Sequence, residues 1–147
     1  MPKVIPIIYN GNNKYGDFLW MINQKKYDNC LFLFNDNIEK HKTNDIGLGN
    51  ACIRHFNKYN EDLKIPRSAG IITGSFRDRG FKKLNKKNKK IIDSTFDEII
   101  QLIKKYNYEK IYFSSNKEKN KIGINLFDVN EDVILYITKK LLELKKI

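Results

Sequence analysis

Three short stretches carry the residue types that could do chemistry in this chain. Asn35-Asp36-Asn37 follows directly on the apolar run Cys30 to Phe34. Gly47-Leu48-Gly49 opens a second pattern, Asn50, Ala51, Cys52, Ile53. Gly123-Ile124-Asn125-Leu126-Phe127 comes shortly after Ser114 and Ser115. Glycines let a backbone approach a phosphate closely, and the free N–H groups and dipole at a helix start attract anions. The predicted chemistry is therefore capture of a phosphate-bearing ligand, with the N–H groups of Asn50 and Ala51 as donors. Asp36 is the one carboxylate in these stretches and could serve as a general base on water. Each stretch also has a plainer reading. Asn and Asp bond their own backbone in turns, Gly47 to Gly49 could be an ordinary loop-to-helix turn, and Ile124 and Leu126 read as core.

The elements that must position these residues follow from hydrophobic periodicity. Lys3 to Tyr9 reads as a strand, and Asn10 to Asn13 as a turn. Phe18, Leu19, Met21 and Ile22 have helical spacing. Cys30 to Phe34 is a continuous apolar run bounded by polar clusters, which suits a strand buried on both faces. Ala51, Cys52, Phe56 and Tyr59 predict a helix over Asn50 to Tyr59. Ser68 to Thr73 reads as a strand. Thr95-x-x-Glu98 matches a capping box, and Ile92, Phe96, Ile99, Ile100 and Ile103 form an apolar stripe, so a helix runs to about Tyr106. Glu109 to Phe113 is the last strand, and Asn130 caps the last helix. Strands alternating with helices predict one α/β domain over 1–147, with a mostly parallel or mixed central sheet flanked by helices.

Net charge is +11, from 28 Lys and Arg against 17 Asp and Glu. That balance favours anionic partners, although Lys-, Asn- and Ile-rich usage also follows from an AT-rich coding sequence. Arg77 to Lys90 concentrates eight basic residues. Arg77, Arg79, Lys82, Lys83, Lys86 and Lys87 are candidate nucleic-acid contacts. A solvated loop is the simpler reading, because only Phe76 and Phe81 supply aromatic rings there.

Cys30 and Cys52 lie in apolar patterns outside any CxxC pair, so they read as reduced core residues, with no metal site expected. His41 and His55 lack acid-paired spacing for a metal or a triad. No cofactor motif is present. MPKVIPIIYNG lacks the features of a signal peptide, and no apolar run approaches the ~20 residues that span a bilayer. The expectation is a soluble protein of the cytoplasm, of a cell or of a host cell, without a membrane partner.

Taken in order, the motifs resemble a macrodomain, the ADP-ribose-binding α/β family. Gly16-Asp17-Phe18 is similar to the family's early Gly-Asp-Ile turn. Leu31 to Asn37 resembles its buried strand and Asn-Ala-Ala-Asn loop, one residue shorter and with Asp36 in place of alanine. Gly47 to Ile53 is similar to its triple-glycine turn and helix, interrupted by Leu48. Ser114, Ser115 and Gly123 to Phe127 are similar to its last strand end and second phosphate loop. The resemblance implies a three-layer macrodomain-like fold that binds ADP-ribose or a related nucleotide. It implies adenine contact by Asp17 beside Phe18, loop ordering by Asn35 and distal-ribose contact by Asn37. Phosphate contact would come from Gly47, Gly49, Asn50 and Ala51. Ser114, Ser115, Gly123, Ile124, Asn125, Leu126 and Phe127 would close the other side. It also implies an ADP-ribosyl or ADP-ribose-phosphate hydrolase, with Asn37 and Asp36 as catalytic candidates. The competing reading is a basic nucleic-acid-binding module without catalysis.

Overall fold

The computed structural model describes residues 1–11 and 15–147. Asn12 and Asn13, in the expected turn, lie outside the described residues. Four strands form one sheet: β1 (Lys3–Ile8), β2 (Cys30–Asp36), β3 (Ser68–Ile72) and β4 (Lys110–Ser115). The order is β1-β4-β2-β3 and all three pairings are parallel, not mixed. Among the described residues the one antiparallel pairing is an isolated bridge, Ser115 to Ile122.

Alternation along β2 explains why its whole run is apolar. Leu31 and Leu33 face a cluster with α2 (Lys86–Tyr106) and α3 (Glu131–Glu143), through Ile92, Phe96, Ile99, Val133, Ile137 and Leu141. Cys30, Phe32 and Phe34 face the other cluster, with Phe18, Met21 and Ile22 of α1 (Phe18–Ile22) and with Ala51 and Ile53. A strand covered on both faces needs apolar residues at successive positions.

Three expected elements differ. The residues after Gly47 form a 3₁₀ segment, Gly49–Phe56, instead of an α-helix over Asn50 to Tyr59. Eight residues is long for this helix type, whose hydrogen bonds are poorer than those of an α-helix. Helix α2 begins at Lys86, capped by Asn85, whose side chain accepts from the Asn88 N–H at 2.9 Å. The Thr95-x-x-Glu98 match is therefore mid-helix: the Thr95 hydroxyl donates to the Ile91 carbonyl, and Glu98 turns elsewhere. The lysine-rich run is thus part loop and part helix start. Asn130 does cap α3, accepting from the Asp132 N–H. Among the described residues no helix is long and apolar enough to cross a membrane.

All four strands end on one edge of the sheet. The chain leaving β2 passes to β3 on one side, while the chain leaving β4 enters α3, whose C-terminal extension packs on β1. Adjacent strands whose exits diverge leave a crevice at their carboxyl ends, the usual ligand position in parallel α/β sheets.

Candidate functional site

Two polar constellations lie near that edge, one sealed and one open. The sealed one centres on Asp36, the last residue of β2. Its side chain is fully buried. The β2–β3 register sets Phe34 opposite Gly70, and the missing side chain of Gly70 makes the space Asp36 fills. A Cβ at Gly70 would lie 2.2 Å from Asp36 Oδ2. Arg54 donates to Asp36 Oδ1 through Nε at 3.1 Å and Nη2 at 2.6 Å, and the Asn37 N–H donates to the same oxygen at 2.9 Å. Asp36 Oδ2 meets His41 Nδ1 at 2.9 Å, and His41 Nε2 meets Glu98 Oε2 at 3.1 Å. The Tyr59 hydroxyl donates to that same Glu98 oxygen at 3.1 Å.

Only an imidazolium can donate from both ring nitrogens, so two facing carboxylates favour charged His41. Burial alone would lower its pKa. The hydrogen bonds and negative charges of Asp36 and Glu98 outweigh burial and hold it at about 9. Burial would raise Glu98, but the hydrogen bond and charge of His41, with Lys58 and Tyr59, hold it below its ordinary value. Burial, and then the Glu98 charge, push the Tyr59 phenol up to about 12.

This corrects two sequence expectations. Asp36 is not a turn residue facing water, and both its oxygens are engaged, which does not suit a general base. His41, which lacked a partner by spacing, bridges two acids. His41, Arg54 and Glu98 were missed because they lie far apart along the chain. The one local signal was Gly70 inside an apolar strand, which marks a close approach by another group.

The open constellation is a cleft of about 420 Å³ at the ends of β1 and β4, lined in part by Tyr9, Ser115, Lys117, Gly123, Ile124 and Asn125. Its floor is tied to β2, since Asn35 Nδ2 donates to the Gly123 carbonyl at 2.6 Å. The Gly123 N–H is held by the Ser114 carbonyl at 3.0 Å and the Ile122 N–H by the Thr138 hydroxyl at 3.1 Å. The next four N–H groups, Ile124 to Phe127, have no acceptor among the described residues. Tyr9, which also lines the cleft, lies close to the other glycine-bearing bend. A Cβ at Gly49 would lie 3.7 Å from the Tyr9 hydroxyl. Burial, then the charges of Asp17 and Cys52, raise the Tyr9 pKa. In that bend the N–H groups of Leu48, Gly49 and Asn50 are likewise without an acceptor among the described residues, whereas the Ala51 N–H is taken by the Leu48 carbonyl at 3.2 Å.

The expected site residues therefore divide. Ser115, Gly123, Ile124 and Asn125 line the cleft. Leu126 is exposed rather than core, and Phe127 packs edge-on against Phe76 with ring centres 6.3 Å apart. Ser114 is buried in β4. Asp17 is fully buried and accepts from the Asn10 N–H at 2.6 Å, and the Phe18 N–H meets Asn50 Oδ1 at 3.4 Å. Asn37 accepts from the Lys40 N–H at 2.9 Å, closing its own loop, and Gly47 bonds the Ala51 carbonyl through its N–H at 3.1 Å. Asp17, Asn37 and Ala51 thus act within the fold, and the open donors belong to the two glycine-bearing bends. Among the described residues no group of three His, Cys, Asp or Glu side chains is placed to hold a metal ion.

Fold and edge together define an α/β protein with a parallel four-stranded sheet and a cleft at its carboxyl edge. No protein-family model matches the chain, and neither a curated protein nor a solved structure matches it significantly.

Proposed function

We propose that this protein binds an ADP-ribose-like nucleotide at the carboxyl edge of its sheet, within a three-layer macrodomain-like architecture. The observation that carries the reading is the run of uncommitted N–H groups, Ile124 to Phe127, that starts at the cleft, together with a second such run, Leu48 to Asn50, whose Gly49 lies close to the cleft residue Tyr9. Successive backbone N–H groups make anion-binding concavities that need no charged side chain. This matters because the cations at the cleft are balanced by acids, with Lys121 paired to Glu131 at 2.7 Å. The cleft volume of about 420 Å³ lies within the usual small-ligand range. With Asp36 engaged on both oxygens, the reading is one of binding, without Asp36 acting on water.

Titration calorimetry with ADP-ribose, ADP and NAD tests it. The expected result is one site per chain, weakened at least about tenfold by Asn125→Asp and by Leu48→Glu. A carboxylate beside a phosphate outside bulk water costs more than ~1.4 kcal/mol. Absence of heat with all three ligands, or unchanged affinity in both variants, would end the nucleotide reading.

A further inference from the structure

The loop after β3 is built at a cost that the nucleotide cleft does not explain. A Cβ at Gly74 would lie 2.4 Å from the Gly80 Cα, and a Cβ at Gly80 would lie 2.6 Å from the Asp128 carbonyl oxygen. Three backbone segments are thus pressed together without side chains between them. Hydrogen bonds lock the stack. The Arg79 N–H donates to the Ser75 carbonyl and the Asp128 N–H to the Arg79 carbonyl, both at 2.8 Å, while the Phe81 N–H bonds the Thr73 carbonyl at 2.9 Å. Arg79 is held at φ +55°, a conformation unfavourable for a residue with a Cβ.

What this frame presents outward is Phe76, 55% exposed. Phe76 is fixed on two sides: its N–H donates to Glu39 Oε1 at 3.0 Å, and its ring rests edge-on against Phe127. Around it stand Arg77 and Arg79, followed along the chain by Lys83, Lys86 and Lys87. Among the described residues none of these five cations has an ion-pair or hydrogen-bond partner, whereas Lys82 holds the Asp128 carbonyl at 2.5 Å. Lys86 and Lys87 also sit in the first turn of α2, with no acid beside them, at the positive end of the helix dipole. That placement disfavours the free protein and favours an anion nearby.

We propose that this surface binds single-stranded nucleic acid, with an unpaired base stacked on Phe76 and backbone phosphates on Arg77, Arg79, Lys83, Lys86 and Lys87. A fixed exposed ring flanked by unpaired cations is the combination that single strands recognise. A duplex keeps its bases stacked on each other and offers the ring nothing. The sequence alone left this surface short of aromatic contacts. The fold adds one by bringing Phe127 to Phe76, with ring centres 6.3 Å apart. The proposal does not rest on the nucleotide cleft, and either can fail without the other.

The test is fluorescence anisotropy with a labelled single strand of about 20 nucleotides, longer than one ~4–16-nucleotide site, and with the matching duplex. The single strand is expected to bind more tightly. Phe76→Ala should weaken single-strand binding roughly 5- to 150-fold, the range for loss of one base stack. It should leave the duplex and the thermal midpoint unchanged. The double variant Arg77→Ala, Arg79→Gly keeps a residue suited to positive φ and should lower the salt slope by about 1.4, or ~0.7 for each phosphate no longer neutralised. Absence of binding at low salt, equal affinity for strand and duplex, or a Phe76→Ala curve superimposed on wild type would each overturn the proposal. So would equal competition by dextran sulfate or poly-glutamate, which would assign the surface to acidic polymers in general.

Discussion

The Asp36 hub and the Gly123 cleft lie near the same sheet edge and treat their polar groups in opposite ways. In the hub, Asp36, Arg54, His41 and Glu98 satisfy one another, and two formal cations balance two anions. At the cleft and just beyond it, consecutive backbone donors from Ile124 to Phe127 are left for water or a ligand. A buried polar group without a partner is costly, so the hub has to be complete. An exposed donor costs little until something binds, so the cleft can remain open. The contrast separates residues that hold the edge together from residues available at it.

That separation can be broken by experiment. The largest effect is expected from Arg54→Ala. Removing the guanidinium leaves Asp36 Oδ1 with the Asn37 N–H alone and the buried hub one positive charge short, at a cost of about 3–5 kcal/mol. Urea unfolding would show it, and a shift under ~1 kcal/mol would mean that the hub is not the structural centre of this edge.

His41 comes next. Its folded pKa, about 9, is raised above the ordinary 6.5. The folded state therefore holds this proton more tightly than the unfolded chain does. The stabilisation is fully present below pH 6.5 and is lost as pH rises to about 9. Linkage puts it at about 3 kcal/mol. Urea midpoints measured from pH 6 to 10 should fall across that window in wild type and stay nearly flat in His41→Gln. Parallel profiles would refute the double bridge.

The smallest effect sharpens the comparison from the other side. Asn125→Asp, at an exposed cleft residue, should change stability by no more than ~0.5 kcal/mol while weakening nucleotide binding. A large loss of stability would place Asn125 in the framework, and the two regions would no longer be distinct.

Much of the frame was legible because its causes are local. Cys30 to Phe34, a short apolar run bounded by polar clusters, suited a doubly covered strand. Asn130 followed by Glu131 and Asp132 announced α3, since a cap and the helix dipole act within one turn. Local signals also misled. Thr95-x-x-Glu98 has the right spacing for a helix start, yet α2 begins at Lys86, because lysines that read as a charge run are also good helix formers. The 3₁₀ form of Gly49–Phe56 was hidden because apolar residues at three- and four-residue spacing suit either helix type.

The chain's own sequence determined that this is an alternating α/β protein with a strand buried on both faces, a strongly basic balance and two glycine-bearing bends near strand ends. Periodicity, capping and charge are properties of neighbours along a chain. Only the tertiary structure decided which side chains meet. Asp36 reaches His41, Arg54 and Glu98 because β2 pairs with β3 and α2 packs beside them, and Phe76 meets Phe127 because three backbones cross at Gly74, Gly80 and Asp128. Such partnerships depend on strand register and docking, which no local spacing encodes.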